Sequence, residues 1–248
     1  GVSSAASDVY KRQLPLLGRL ISDYPSYPGA PWSFARARSL GRSLRYPTWG
    51  VPDAWHTLFL ALGLGLAAYL LAVPLHFDPM NGWGLLFTAA VPWAAMIGWP
   101  VLVAKRKGNG AQIDFGLQLT KAHVRTAVLA AVYAYGGAGL VALVIEKVHG
   151  PFNSVAGQVA SAQRGIVLVV FALTMVTVAP LAEEIAFRGL LYTALCKRGI
   201  SEIVAVLISA LAFAAFHFEP TRLPLLFAIG VVLGEVRRRT GSTAASVI

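Results

Sequence analysis

Long apolar runs separated by short polar or basic stretches dominate this chain. Crossing the ~30 Å hydrocarbon core of a bilayer takes roughly 20 apolar residues as helix. Runs at 54–73, 85–104, 126–145, 166–196, 203–218 and 223–236 meet or approach that length, and a further run opens near Ala244. The pattern predicts an all-α, polytopic transmembrane helical bundle of six spans plus the start of a seventh, which the chain's end at Ile248 truncates. The runs at 203–218 and 223–236 are short for full crossings and rest on their context as well. Pro74, Pro92, Pro180 and Pro224 fall at run ends or predict kinks, which membrane helices tolerate when neighbouring groups satisfy the freed carbonyls.

Basic residues mark alternate loops. Arg36, Arg38, Arg42 and Arg45 precede the first run; Lys105, Arg106 and Lys107 follow the second; Lys197 and Arg198 follow the fourth; Arg237, Arg238 and Arg239 follow the sixth. Short loops rich in Lys and Arg stay in the cytoplasm, so the expected protein is a multi-pass integral protein of a bacterial cell membrane with its N-terminus inside. Residues 1–53 read as a cytoplasmic lead with little fixed structure, of which 1–13 resemble translated adapter rather than native sequence. Residues 54–248 read as the transmembrane helical domain.

Composition agrees with the runs. Of 248 residues, 56% are apolar and only 13% charged, with a mean hydropathy of +0.64, outside the usual range of a soluble domain. The net charge of +10 sits beside apolar runs instead of forming one basic face, which argues for membrane lipids as partners and against nucleic acid. A single cysteine, Cys196, excludes an internal disulfide framework and a Cys-based zinc site.

Against this background the segment APLAEEIAFRGLLYTAL, residues 179–195, places two adjacent carboxylates and a guanidinium in an apolar helix. A charged side chain at mid-span costs about 2.5–3.5 kcal/mol even on lenient scales, so intramembrane charge is a functional hypothesis by default. Glu184 and Arg188 are four residues apart, so they can pair on one helix face. An ion pair that locks packing would explain those two, but not Glu183, which is left less neutralised. A desolvated, unpaired carboxylate is the stronger general base. His217 lies near the far end of the run at 203–218. From Lys197 back to Glu183 is roughly 21 Å of helix, and from Ser201 to His217 roughly 24 Å, so adjacent helices bring both to similar depth, where they can share and deprotonate one water.

EEIAFR has the pattern EExxxR, and FAAFH, residues 213–217, has the pattern FxxxH. Together, on adjacent spans, they resemble the CAAX-protease-like and bacteriocin-processing family of intramembrane endopeptidases, with similarity over roughly residues 100–248 and a core at about 124–248. The resemblance implies catalytic Glu183, Glu184, Arg188 and His217, with Glu183 and His217 activating water, Glu184 and Arg188 bracing the site, and Phe213 packing behind His217. It implies cleavage of a membrane-associated or prenylated peptide or protein. The family's last polar motif, thought to stabilise an oxyanion, would lie just beyond Ile248. No cofactor is favoured; a divalent metal such as zinc, held by Glu183 and His217, stays open as the alternative to a glutamate base.

A non-catalytic membrane partner of the same fold, serving bacteriocin self-immunity or scaffolding, is the competing reading. An ion-coupled transporter would show paired repeats, which are not evident. Other residues read blandly. His56, His76, His123 and His149 lie in loops or at run ends, and Trp55, Trp83, Trp93 and Trp99 near boundaries as interfacial belts. Gly63, Gly65, Gly136, Gly137 and Gly139 are expected to permit close helix packing.

Overall fold

The computed structural model describes residues 27–149 and 155–248. The 1–13 segment and part of the loop after residue 146 lie outside the described residues. The described chain folds as α1 (Trp32–Ser39), α2 (Val51–Ala72), α3 (Gly82–Lys107), the single turn α4 (Ala111–Asp114), α5 (Lys121–His149), α6 (Val155–Ala162), α7 (Gly165–Lys197), α8 (Glu202–Ala215), α9 (Leu223–Thr240) and α10 (Thr243–Val247). The all-α expectation agrees with this arrangement; the span count does not.

Among the described residues four helices, rather than six with the start of a seventh, are long and apolar enough to cross a membrane: Val51–Ala72, Gly82–Lys107, Lys121–Val144 and Gly165–Lys197. The expected fifth span is α8, with 14 residues, about 21 Å of helix and short of the ~30 Å core. The expected sixth is α9, with 18 residues, but Glu235 and Arg237, Arg238 and Arg239 occupy its last turns and leave too short an apolar stretch. The expected seventh is α10, five residues long. Hydropathy responds to apolar surface whether lipid or protein covers it; α8 and α9 pack against each other and α9 also against α5, while Ile203, Val204, Leu207, Ile208 and Leu211 of α8 stay exposed.

Small residues let that hairpin close. A Cβ on Gly230 would lie 3.0 Å from Ala210 Cα, and one on Gly234 would lie 2.8 Å from Val206 Cγ1. Gly230 and Gly234 are four apart on α9, a spacing that brings membrane helices into backbone contact. The glycines expected to play this part do not: a Cβ on Gly63, Gly136, Gly137 or Gly139 would meet nothing within 4 Å, and one on Gly65 would make only ordinary contact with Pro92 at 3.6 Å. Gly230→Ala is therefore expected to destabilise the protein by about 1–3 kcal/mol through overpacking. Gly63→Ala is expected to be neutral or stabilising by up to about 1 kcal/mol through helix propensity. Thermal unfolding of the two variants in one detergent compares them directly.

Large apolar side chains such as Phe59 and Leu66 on α2, Val132 on α5 and Val176 on α7 stay exposed, the surface a bilayer would cover. The interior of the bundle gathers around the second half of α7, where every residue from Ile185 to Leu191 is buried. The lead departs from the expectation of little fixed structure once residue 27 is reached. Tyr27, Phe34 and Trp49 are buried, and Tyr27 packs edge-on against Phe34 at 5.0 Å. Ser33 Oγ donates to Ile113 O at 2.8 Å, and Trp32 N donates to Gly241 O at 3.0 Å. Lys197 Nζ ends α7 by donating to the carbonyls of Pro47 and Trp49, each at 2.6 Å, and lies 4.1 Å from the centre of the Trp49 ring. Lead and bundle are thus stitched together at the end where the basic residues collect.

Candidate active site

The unusual stretch of α7 is the one that carries the charges. The helix is α-helical to Glu184, π-helical over Ile185–Leu191 and α-helical again from Tyr192 to Lys197. π segments are rare and concentrate at functional sites. The wider turn sends Tyr192 N back five residues to Phe187 O. Ser209 of α8 donates a second hydrogen bond to the same carbonyl at 2.9 Å, which ties the π segment to the neighbouring helix. Gly189 admits the ring of Phe115, whose Cβ would lie 3.1 Å from an added side-chain carbon.

Adjacent carboxylates on a helix point to different neighbours, and here the difference is large. Glu184 turns inward. Its Oε1 lies 2.7 Å from Arg188 Nη1, with both side chains almost wholly buried, and Ser246 of α10 sits beside it. Arg188 Nη2 donates to Gly230 O at 3.0 Å, and the guanidinium carbon stands 4.6 Å from the centre of the Phe213 ring. One guanidinium therefore joins α7, α8 and α9, and Gly230 both permits the approach of α9 and offers the carbonyl. Phe213, expected behind His217, packs between that residue and Arg188, with its ring 4.7 Å from the imidazole.

Glu183 turns the other way, toward His217. Its Oε1 lies 3.9 Å from His217 Nε2, with about a quarter of each side chain exposed, 25% and 26%. The end of α8 orients the imidazole. The chain leaves the helix at Phe216, His217 N donates to Ala214 O, and Phe218 adopts a left-handed φ of 54°. Phe213 O loses its normal partner in the next turn and accepts from His217 Nδ1 at 2.8 Å instead. A carbonyl can only accept, so Nδ1 carries a proton, and in the neutral imidazole Nε2 is the acceptor on the side of Glu183.

Glu183 and His217 open onto a cavity of about 180 Å³ whose other walls are Pro92, Trp93, Met96, Phe187 and Phe216. Three of these come from the middle of α3. Trp93, expected in an interfacial belt, is thus a wall of the candidate site; the signal that could have placed it there was Pro92, a bend inside an apolar run. The donors do not fit a structural or catalytic zinc, which takes at least three protein ligands. Among the described residues no group of three His, Cys, Asp or Glu side chains converges, and Glu183 and His217 supply two. Cys196 is buried and free.

Four apolar helices of membrane-crossing length among the described residues, with a buried Glu–Arg pair and a carboxylate facing a histidine, are consistent with an integral multi-pass membrane protein that carries a polar site inside its bundle. Residues 165–248 match the family model described as type II CAAX prenyl endopeptidase Rce1-like. A CAAX-protease-like domain is therefore detected over that part of the chain, and it is consistent with a membrane-associated hydrolytic function in general. The match holds Glu183, Glu184, Arg188, Phe213 and His217; it starts later than residue 100 and excludes the α3 wall. No curated protein and no solved structure matches the chain.

Proposed function

We propose that the protein is an intramembrane endopeptidase that hydrolyses a peptide bond of a membrane-associated protein or peptide with a water activated by Glu183 and His217. The observation that carries this reading is the 3.9 Å gap between Glu183 Oε1 and His217 Nε2. It is too long for a direct hydrogen bond, and both atoms are acceptors. A water about 2.8 Å from each would donate one hydrogen to each. Its remaining lone pairs would then point into the cavity where a scissile carbonyl would lie.

In the reaction, the water oxygen forms a bond to the carbonyl carbon as one of its protons passes to Glu183. His217 holds the other hydrogen, which keeps the nucleophile oriented. The tetrahedral intermediate collapses by breaking the C–N bond, and Glu183 returns its proton to the leaving nitrogen. Glu184 and Arg188 stay charged throughout and hold α7 against α9, so that Glu183 keeps its position opposite His217. The reading is tested by cleavage of a membrane-tethered peptide by the reconstituted protein, with Glu183→Gln as the deciding variant.

We also propose that the N-terminus and the ends of α3 and α7 that carry basic residues face the cytoplasm, as the clustering of Arg36, Arg38, Arg42, Arg45, Lys105, Arg106 and Lys197 supports. Because Cys196 is buried, single cysteines can be read against a low background. Asp78→Cys is expected to react with an impermeant thiol reagent added to intact cells, and Lys105→Cys only after lysis. Equal labelling of both from outside contradicts the orientation.

A further inference from the structure

A second cavity, unlike the first in every respect, opens where α3 ends. It has a volume of about 620 Å³, and Arg42, Arg45, Lys105 and Asn109 are among the side chains that line it, with no acidic side chain in its wall. Among the described residues, none of the three cations takes part in an ion pair, although Lys107 nearby is engaged with Asp53 at 2.6 Å. Three positive side chains that face one space without a counter-charge repel each other, and an anion in that space relieves the repulsion.

The wall that presents them is built from the inside. Asn109 Oδ1 accepts from Arg45 N at 3.0 Å, and its Nδ2 donates to Arg45 O at 2.9 Å. Asn109 is held in turn by Asp114, which accepts from its backbone N at 2.8 Å and its Nδ2 at 3.1 Å. Asp114 is fully buried and also accepts from Trp49 Nε1 at 3.1 Å. A Cβ on Gly108 would overlap the Asp114 carboxylate, and Gly110 adopts a left-handed φ of 93°. The buried carboxylate thus fixes the Asn109 loop from behind, and Arg42 and Arg45 of the lead and Lys105 of α3 line the cavity beside it. Such a frame lowers the ordering cost of binding.

We propose that this cavity binds the phosphate of an anionic lipid headgroup, with Arg42, Arg45 and Lys105 as its cations. Guanidinium groups match phosphate oxygens in pairs, and a lysine adds a point charge. Lys105 belongs to the last turn of a helix of membrane-crossing length, which sets the cavity at the level of the headgroups. A soluble phosphate shares this chemistry and differs only in source.

The test uses the full chain in a neutral detergent, titrated separately with dioctanoyl phosphatidylglycerol, dioctanoyl phosphatidylcholine and inorganic phosphate, and followed by native mass spectrometry and by the shift in thermal midpoint. Phosphatidylglycerol is expected to bind more tightly than phosphatidylcholine. Arg42→Ala, Arg45→Ala and Lys105→Ala are each expected to weaken it about fivefold, from about 1 kcal/mol per cation near a lipid surface. All three side chains are exposed, so the variants retain the fold. Arg38→Ala, in the same lead but outside the cavity, is expected to change nothing. Equally tight binding of inorganic phosphate, with the same losses, assigns the site to a soluble phosphate and overturns the lipid source. Equal affinity for the two lipids, an Arg38→Ala loss equal to that of Arg45→Ala, or no binding of any probe overturns the site itself.

Discussion

Arg188→Ala is expected to cost about 3–5 kcal/mol of stability, the usual result of removing one partner from a buried ion pair. The substitution leaves Glu184 charged and enclosed, takes the donor from Gly230 O and removes the cation from the face of Phe213. Three helices lose their common contact in one step. Arg188→Lys is expected to recover only part of the loss, because an ammonium cannot span Glu184 and Gly230 O with the flat, two-ended geometry of a guanidinium. Glu183→Ala, by contrast, is expected to stay within about 0.5 kcal/mol of the parent, since Glu183 is partly exposed and its nearest basic group lies 3.9 Å away. Thermal unfolding midpoints and folded yield in one detergent measure all three. A Glu184→Gln, Arg188→Leu double variant should be more stable than Arg188→Ala, as both charges leave together. Equal losses for Arg188→Ala and Glu183→Ala would remove the division of labour between the carboxylates.

The parts of the site that sequence made legible are those with an electrostatic cost. Glu183, Glu184 and Arg188 stand out because charge is rare in an apolar helix, and the depth estimate brings His217 to the same level without any knowledge of packing. What stayed hidden depends on contacts between segments. The π turn over Ile185–Leu191 leaves no periodic trace in the sequence; the bonds that mark it, from Ser209 Oγ and Tyr192 N to the one carbonyl of Phe187, depend on a neighbouring helix and on local backbone geometry. The α8–α9 hairpin looks like two spans because its apolar surface has the composition of a lipid-facing one. Gly230 and Gly234 have a readable spacing, but the denser group at Gly136, Gly137 and Gly139 has the same composition and, among the described residues, no packing partner within 4 Å. Trp93 resembles a boundary residue by type alone, since it lies in the middle both of the 85–104 run and of the Gly82–Lys107 helix. In each case the missing information is which neighbour covers a surface, which single-chain hydropathy does not contain.

Glu183→Gln is expected to lower peptide hydrolysis by ~10²–10⁴-fold while leaving the fold intact, the range for loss of a general base. The amide keeps the size of the side chain and removes the proton acceptor, so a stability change is not expected to explain the loss. His217→Ala is expected to fall in the same range, because the water loses the Nε2 acceptor that holds its second hydrogen. The two residues act on one water, so the double variant should be little worse than either single one. The measurement is the initial rate of cleavage of a membrane-tethered peptide by full-length protein in liposomes, with unfolding midpoints recorded in parallel. Arg188→Ala is the counter-example in the same assay: its rate should fall together with its folded fraction, whereas the Glu183→Gln rate should fall at constant folded fraction. A Glu183→Gln protein that folds normally and cleaves at the parental rate sinks the mechanism, and an inactive parent that still binds a membrane partner favours a non-catalytic role. Activity that disappears with a chelator and returns with zinc keeps the hydrolase and replaces the glutamate base with a metal-bound water, held by ligands beyond the two this site brings together.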